Sequence, residues 1–173
     1  MSSQNLSNYN QDTVPNGSGL KIGLVVSEWN EDITENLFLG AQETLIENGV
    51  EPTDILRLNV PGSFELVYGS KLLIQTTDVD VIIALGSVVR GETPHFDFVC
   101  QATASGIKDL NVNFETPVIF GLLTDDSYAQ AEARSGGDKG NKGVECAVAA
   151  LKMATLSQIM IDDIDDDIDF DEL

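Results

Sequence analysis

Apolar residues in this chain fall into short solid runs separated by stripes at helical spacing, and this alternation predicts its elements. Residues 21–26 (KIGLVV), 55–60, 78–85 and the run VIFGLL opened by Thr116-Pro117 read as four strands. The consecutive apolar residues Val81, Ile82, Ile83, Ala84 and Leu85 mark the third strand as buried on both faces. Ile33, Leu37, Ala41 and Leu45 recur every four residues, as on the buried face of a helix. Asp32 is placed to cap that helix, Glu35 to complete a capping box, and Asn48-Gly49 to end it in the left-handed way. Pro61-Gly62 stops the second strand, and Ser63 is placed to cap a helix running to Gln75. Phe96, Cys100, Thr103, Ile107 and Leu110 stripe a helix over 94–110, opened by Thr93 and Pro94. Asp125 or Asp126 then caps a short alanine-rich helix, 135–143 (SGGDKGNKG) reads as a glycine and lysine loop, and 144–156 as the last helix.

Strands alternating with helices through short loops imply a parallel sheet covered on both faces. The expected fold is a flavodoxin-like three-layer α/β sandwich with a central four-stranded parallel sheet. In such sheets ligands bind beyond the carboxyl ends of the strands. Trp29 follows strand one, Ser63, Phe64 and Glu65 follow strand two, Ser87 to His95 follow strand three, and Phe120 lies within strand four. The segment GSVVRGETPHFDFVC, residues 86–100, leads from the third strand into a helix and is the expected centre of the site.

Composition narrows the picture. The chain has 173 residues, 42% of them hydrophobic, and no apolar run of membrane-spanning length, so one globular domain is expected over 20–158. Residues 1–19 are polar and glycine-containing and read as a flexible arm. Eight of the 29 acidic residues crowd between Asp162 and Glu172, so 159–173 reads as an acidic, disordered tail. Alternatively Ile161, Ile164 and Ile168 could line an amphipathic helix for a partner. A net charge of −20 with only nine Lys and Arg argues against nucleic acid. The amino end has neither a secretory nor a transit pattern, so a cytoplasmic location is expected. Cys100 and Cys146 fall in helical patterns without metal-ligand spacing and read as reduced, packed thiols.

The candidate chemistry has plain readings beside it. His95, the only histidine, is either a surface residue in a first helical turn or a general acid/base beside the crevice. Arg134 either complements a helix dipole or, with Lys139 and Lys142, forms an anion site. The loop lacks the order of a Walker phosphate loop, and no dinucleotide fingerprint opens a helix. Glu65 and Ser63 are a dipole partner and a cap, or ligands. Trp29 and Phe120 are core residues, or platforms for a flat ring. Arg90 binds either phosphate or a neighbouring carboxylate. No Ser-His-Asp or Cys-His pair follows from spacing, and a zinc site is not expected.

VPGSFEL, ALGSVVRGETPHFDFVC, PVIFGLLT and GNKG, in this order, resemble the lumazine synthase family over residues 21–156. The resemblance implies condensation of 5-amino-6-(D-ribitylamino)uracil with 3,4-dihydroxy-2-butanone 4-phosphate, without metal or organic cofactor. It also implies residue roles. Trp29 would stack on the pyrimidine, Ser63, Phe64 and Glu65 would hold the ribityl chain and ring, and Ser87, Val88 and Val89 would line the pyrimidine pocket. Glu92 and Thr93 would lie beside the phosphate substrate, and His95 would be the proton donor. Arg134, with Lys142 near it, would bind phosphate, and Phe120 would form an aromatic wall. The family draws the wall and the phosphate ligand from the adjacent subunit, which implies a homo-oligomer with sites between subunits. The short loop resembles members whose pentamers build icosahedral capsids, and a riboflavin synthase is a candidate partner. A non-catalytic lumazine or flavin binder and a capsid scaffold are the competing readings.

Overall fold

The computed structural model describes residues 7–167, the last seven as backbone only. Four strands, β1 (Ile22–Ser27), β2 (Ile55–Val60), β3 (Val81–Val89) and β4 (Val118–Asp125), form one parallel sheet in the order β2-β1-β3-β4. Helices α1 (Glu31–Glu47) and α5 (Lys142–Asp167) cover one face, while α2 (Leu66–Thr76) and α3 (His95–Asn113) cover the other. This is the flavodoxin-like sandwich. Alternate residues of β3 divide between the two cores, Val81, Ile83 and Leu85 facing α1 and α5 and Ile82 and Ala84 facing α2 and α3. A central strand must be apolar at every position for this to work. The chain reverses its direction across the sheet between β1 and β3, and beyond the carboxyl ends at such a reversal parallel sheets form a ligand crevice.

Several boundaries differ from the sequence reading, each for a local reason. Helix α1 starts at Glu31 behind Asn30, which is left-handed (φ 59°) and makes no side-chain cap bond, so Asp32 is not the cap. Glu35 is committed elsewhere: both carboxylate oxygens accept from Arg57 of β2, whose guanidinium also lies 4.2 Å from the centre of the Phe38 ring. Ser63 does not cap α2, because Ser63–Glu65 forms a 3-10 turn behind Gly62 and the helix begins at Leu66. Strand β3 continues past Leu85 because Gly86 to Val89 pair with Leu122 to Asp125 of β4. Ser127, rather than Asp125 or Asp126, caps the short helix α4 (Tyr128–Arg134), its hydroxyl accepting from the Gln130 N–H. Gly49 does end the α1 segment with φ 97°.

The glycine and lysine segment is a small hairpin, β5 (Ser135–Gly137) with β6 (Gly140–Asn141), and α5 starts immediately after it at Lys142. That helix runs beyond Leu156 into the acidic segment as far as Asp167, and 168–173 lie outside the described residues. The amino-terminal stretch, read as a flexible arm, is held against the domain where it is described. The Gly17 N–H donates to Asn48 O at 2.7 Å, the Asn48 side chain donates to the Tyr9 hydroxyl, and Val14 packs on the larger core. Polar composition conceals such bonds, since the partners are remote in sequence.

The Arg57–Glu35 pair yields a pH test. Arg57 holds the Glu35 carboxyl below its usual range, against a smaller opposing push from burial. A carboxylate whose pKa is lowered by folding stabilises the fold above its unfolded pKa, and the contribution disappears as pH falls through the lowered value. The Tm difference between wild type and Arg57→Leu should therefore be largest near neutral pH and close as the pH drops below the ordinary carboxylate range. A difference that stays constant with pH would show that Arg57 acts through its contact with Phe38 alone.

Candidate functional site

The first wall of the crevice comes from the turn after β1. The Glu28 N–H donates to Val60 O at 2.9 Å, which ties this turn to the end of β2. Asn30 can be left-handed because its short polar side chain tolerates that conformation. Its amide donates to Ser87 O at 3.0 Å, bridging the β1 and β3 ends where the strand order reverses. The turn leaves the Trp29 indole 73% exposed at an open depression of about 340 Å³ lined by Glu28, Trp29, Asn30 and Pro61. An indole so exposed is not a core residue.

The second wall is the turn after β2. A Cβ at Gly62 would lie 3.0 Å from Glu65 Oε2 and 3.4 Å from Trp29 Cδ1, so the carboxylate and the indole flank this glycine together. Thr103 of α3 donates to Ser63 O at 3.2 Å and fixes the turn from below. Phe64 is 59% exposed, whereas Ser63 is buried. The Ser63 and Ser87 hydroxyls are buried without a hydrogen-bond partner. A Cβ at Gly86 would come within 3.0 Å of Ser63 Oγ, so β3 approaches this turn closely. Val88 and Val89 are half-buried at the strand end.

Glu92, Thr93 and His95 are exposed, the first two in the bend after β3 and His95 as the first residue of α3. Arg90 has a definite answer to the choice left open by its sequence. It binds carboxylates, Asp126 at 2.6 Å and Asp97 at 3.1 Å.

Three other predicted site residues are Arg134, Lys142 and Phe120. Arg134 and Lys142 stand at the α1/α5 side of the sheet, opposite the face covered by α2 and α3. Both pair with Glu145, at 2.9 and 3.0 Å, and Arg134 also donates to Lys139 O. Glu145, in the first turn of α5, thus pairs with two cations. Asp125 is close enough to feel Arg134, but burial is the larger influence and raises its pKa. Phe120 is 39% exposed on edge strand β4, opposite Ala84 and three residue pairs short of Ser87, about 10 Å along the strands.

The sequence reading missed Asn30, Glu145 and the partners of Arg90. Glu145 had a visible signal, standing three residues after Lys142 on a helix face. Asn30 had the weaker one of an asparagine between strand and helix. Cys146 is buried, and burial pushes its thiol up to about 12, which fits a packed rather than a reactive sulfur. Among the described residues, no three His, Cys, Asp or Glu side chains cluster so as to hold a metal ion, and no helix is long and apolar enough to cross a membrane.

Compared with known proteins, residues 19–158 match a family model described as 6,7-dimethyl-8-ribityllumazine synthase. A curated protein of that name from Christiangramia forsetii is 57% identical over 153 residues, covering 88% of this chain and 91% of that protein. Proteins of the same name from Flavobacterium johnsoniae and Porphyromonas gingivalis are each 54% identical over 155 residues, 90% of this chain and 82% and 96% of their own lengths.

Proposed function

The chain belongs to the 6,7-dimethyl-8-ribityllumazine synthase family, and on that footing we propose how its residues carry the reaction. It is an enzyme of riboflavin biosynthesis that condenses 5-amino-6-(D-ribitylamino)uracil with 3,4-dihydroxy-2-butanone 4-phosphate to 6,7-dimethyl-8-ribityllumazine, releasing phosphate and water. The observation that carries this is the family match over 19–158, a span that contains every crevice residue described above.

An amine attacks a ketone, the carbinolamine loses water to a Schiff base, phosphate leaves, and a second amine closes the ring. Both nucleophiles belong to the substrate, so the protein's work is to position two molecules and move protons. Trp29 stacks on the pyrimidine, a role its exposed indole supports. Ser63, Phe64 and Glu65 hold the ribityl chain and ring, and Ser87, Val88 and Val89 line the pyrimidine pocket. The unpartnered hydroxyls of Ser63 and Ser87 favour polar ligands there. Glu92 and Thr93 lie beside the phosphate substrate and His95 donates the proton. Arg134 and Lys142 bind the phosphate, and Phe120 forms an aromatic wall.

As the resemblance to the family implies, Phe120, exposed on the edge strand, and Arg134 and Lys142 serve the crevice of a neighbouring copy, and the site is complete only in a homo-oligomer. The exposure of Phe64 (59%), Tyr68 (68%) and Phe98 (70%) supports faces that a neighbour covers. The oligomer is a pentamer, assembled further into an icosahedral capsid in the cytoplasm, with a riboflavin synthase as candidate partner. Light scattering tests this. A mass near that of one pentamer contradicts the capsid, and a monomer that is fully active contradicts the shared site. The activity is tested by mixing the protein with both substrates and following the fluorescent lumazine and the released phosphate. An assembled protein that forms neither product overturns the catalytic reading and leaves a binder or scaffold.

A further inference from the structure

The bend that carries the phosphate-side residues has little to hold it. Glycine 91 has nothing within 4 Å of where a Cβ would be, residues 91–95 are all exposed, and α3 begins at His95 behind Pro94 without a side-chain cap. The contacts that tie it down converge on Arg90. The Arg90 N–H donates to Asp125 O at 2.9 Å, continuing the β3–β4 ladder by one bond. Its guanidinium donates from Nε to Asp126 Oδ1 at 2.6 Å. The two terminal nitrogens face the two Asp97 oxygens at 3.1 and 3.3 Å, and the guanidinium carbon lies 4.1 Å from the centre of the Phe96 ring. Phe96 is itself buried, with the guanidinium lying over its ring. Phe96 and Asp97 are the two residues that follow His95.

We propose that Arg90 is the positioning residue for His95: by gripping Asp97, Asp126 and the Phe96 ring at once, it fixes the first turn of α3 and thereby the place of the imidazole beside the end of β3. The inference rests on the assignment of His95 as proton donor. Only arginine can perform the task, because it alone combines a planar fork for a carboxylate with a flat face for a ring. The ion pairs are exposed, at 42% for Arg90, 61% for Asp97 and 71% for Asp126, so they add little to stability. Their effect is on geometry, and a displacement of 1 Å can cost a reaction ~10²-fold.

Arg90→Ala should therefore lower kcat about tenfold, within that bound, while Tm and assembly mass stay at wild-type values. Arg90→Lys should behave like Arg90→Ala. Asp97→Asn, which keeps the ring contact, should show a smaller loss of the same kind. The decisive measurement is a double-mutant cycle in which Arg90→Ala is made on a His95→Ala background and causes no further fall in kcat. An equal fall in both backgrounds would mean that Arg90 acts elsewhere or through general damage, and an unchanged kcat in Arg90→Ala would mean that it positions nothing; either overturns the proposal. If His95→Ala alone leaves kcat intact, the proton-donor assignment fails first, and the proposal falls with it.

Discussion

His95→Ala lowers kcat by ~10²-fold, and by no more than ~10⁴-fold, in a protein that still assembles and binds both substrates. The limit follows from the chemistry. The condensation moves protons at several steps but takes its nucleophiles from the substrate amines, so in the proposed role one imidazole supplies general acid/base assistance and no covalent intermediate. Juxtaposition of the two substrates, which the proposed site assigns to the Trp29 and Glu65 walls and the Ser87 to Val89 strand end, survives the substitution. His95 is exposed at the start of α3, so its removal leaves no cavity and costs the fold little. Single-turnover kinetics and substrate affinities measured side by side check this. A loss beyond the stated limit would give His95 more than a proton to carry, whereas wild-type kcat would remove it from the mechanism.

Gly143→Ala should destabilise the protein by ~3 kcal/mol or more, at or above the top of the usual range for overpacking. For a chain of this size that is a fall in Tm of roughly 6–12 °C. Here α5 crosses α1, and a Cβ at position 143 would lie 1.9 Å from Leu37 O and 2.9 Å from the Asn141 side-chain oxygen. A carbonyl in the middle of a helix cannot step aside as a flexible side chain can. Relief requires moving the start of α5, which carries Lys142 and Glu145 and so displaces Arg134 as well. Activity should therefore fall together with stability, and calorimetry beside the lumazine assay reads both. A variant with wild-type Tm would mean that the two helices are not this close.

Much of the fold was legible in the chain because parallel α/β sheets announce themselves locally. Runs such as Val81 to Leu85 have to be apolar on both faces, and Ile33, Leu37, Ala41 and Leu45 have to share one helical face. Element ends were less legible. Asp32 and Glu35 have the spacing of a capping box, but Arg57, 22 residues away, takes the glutamate. Ser63 looks like a cap and is a buried residue of a 3-10 turn. For Glu35 a partner remote in sequence outbid a local preference, and for Ser63 the tight turn behind Gly62 delayed the helix to Leu66.

The sequence by itself determined the class of fold, the four strands and their helices, the convergence of strand ends on one crevice and, through its motifs, the family and its reaction. These depend on periodicity and on residue types at fixed spacings. The tertiary structure decided which charges meet. Arg90 turns to two aspartates and a phenylalanine ring, Arg134 and Lys142 share Glu145, and Asn30 reaches across to Ser87. It also put Arg134 and Lys142 across the sheet from the α2/α3 face and Phe120 on an exposed edge. Pairings of this kind depend on the distance between side chains that only the packed sheet and helices bring together, and no spacing along the chain encodes that distance directly.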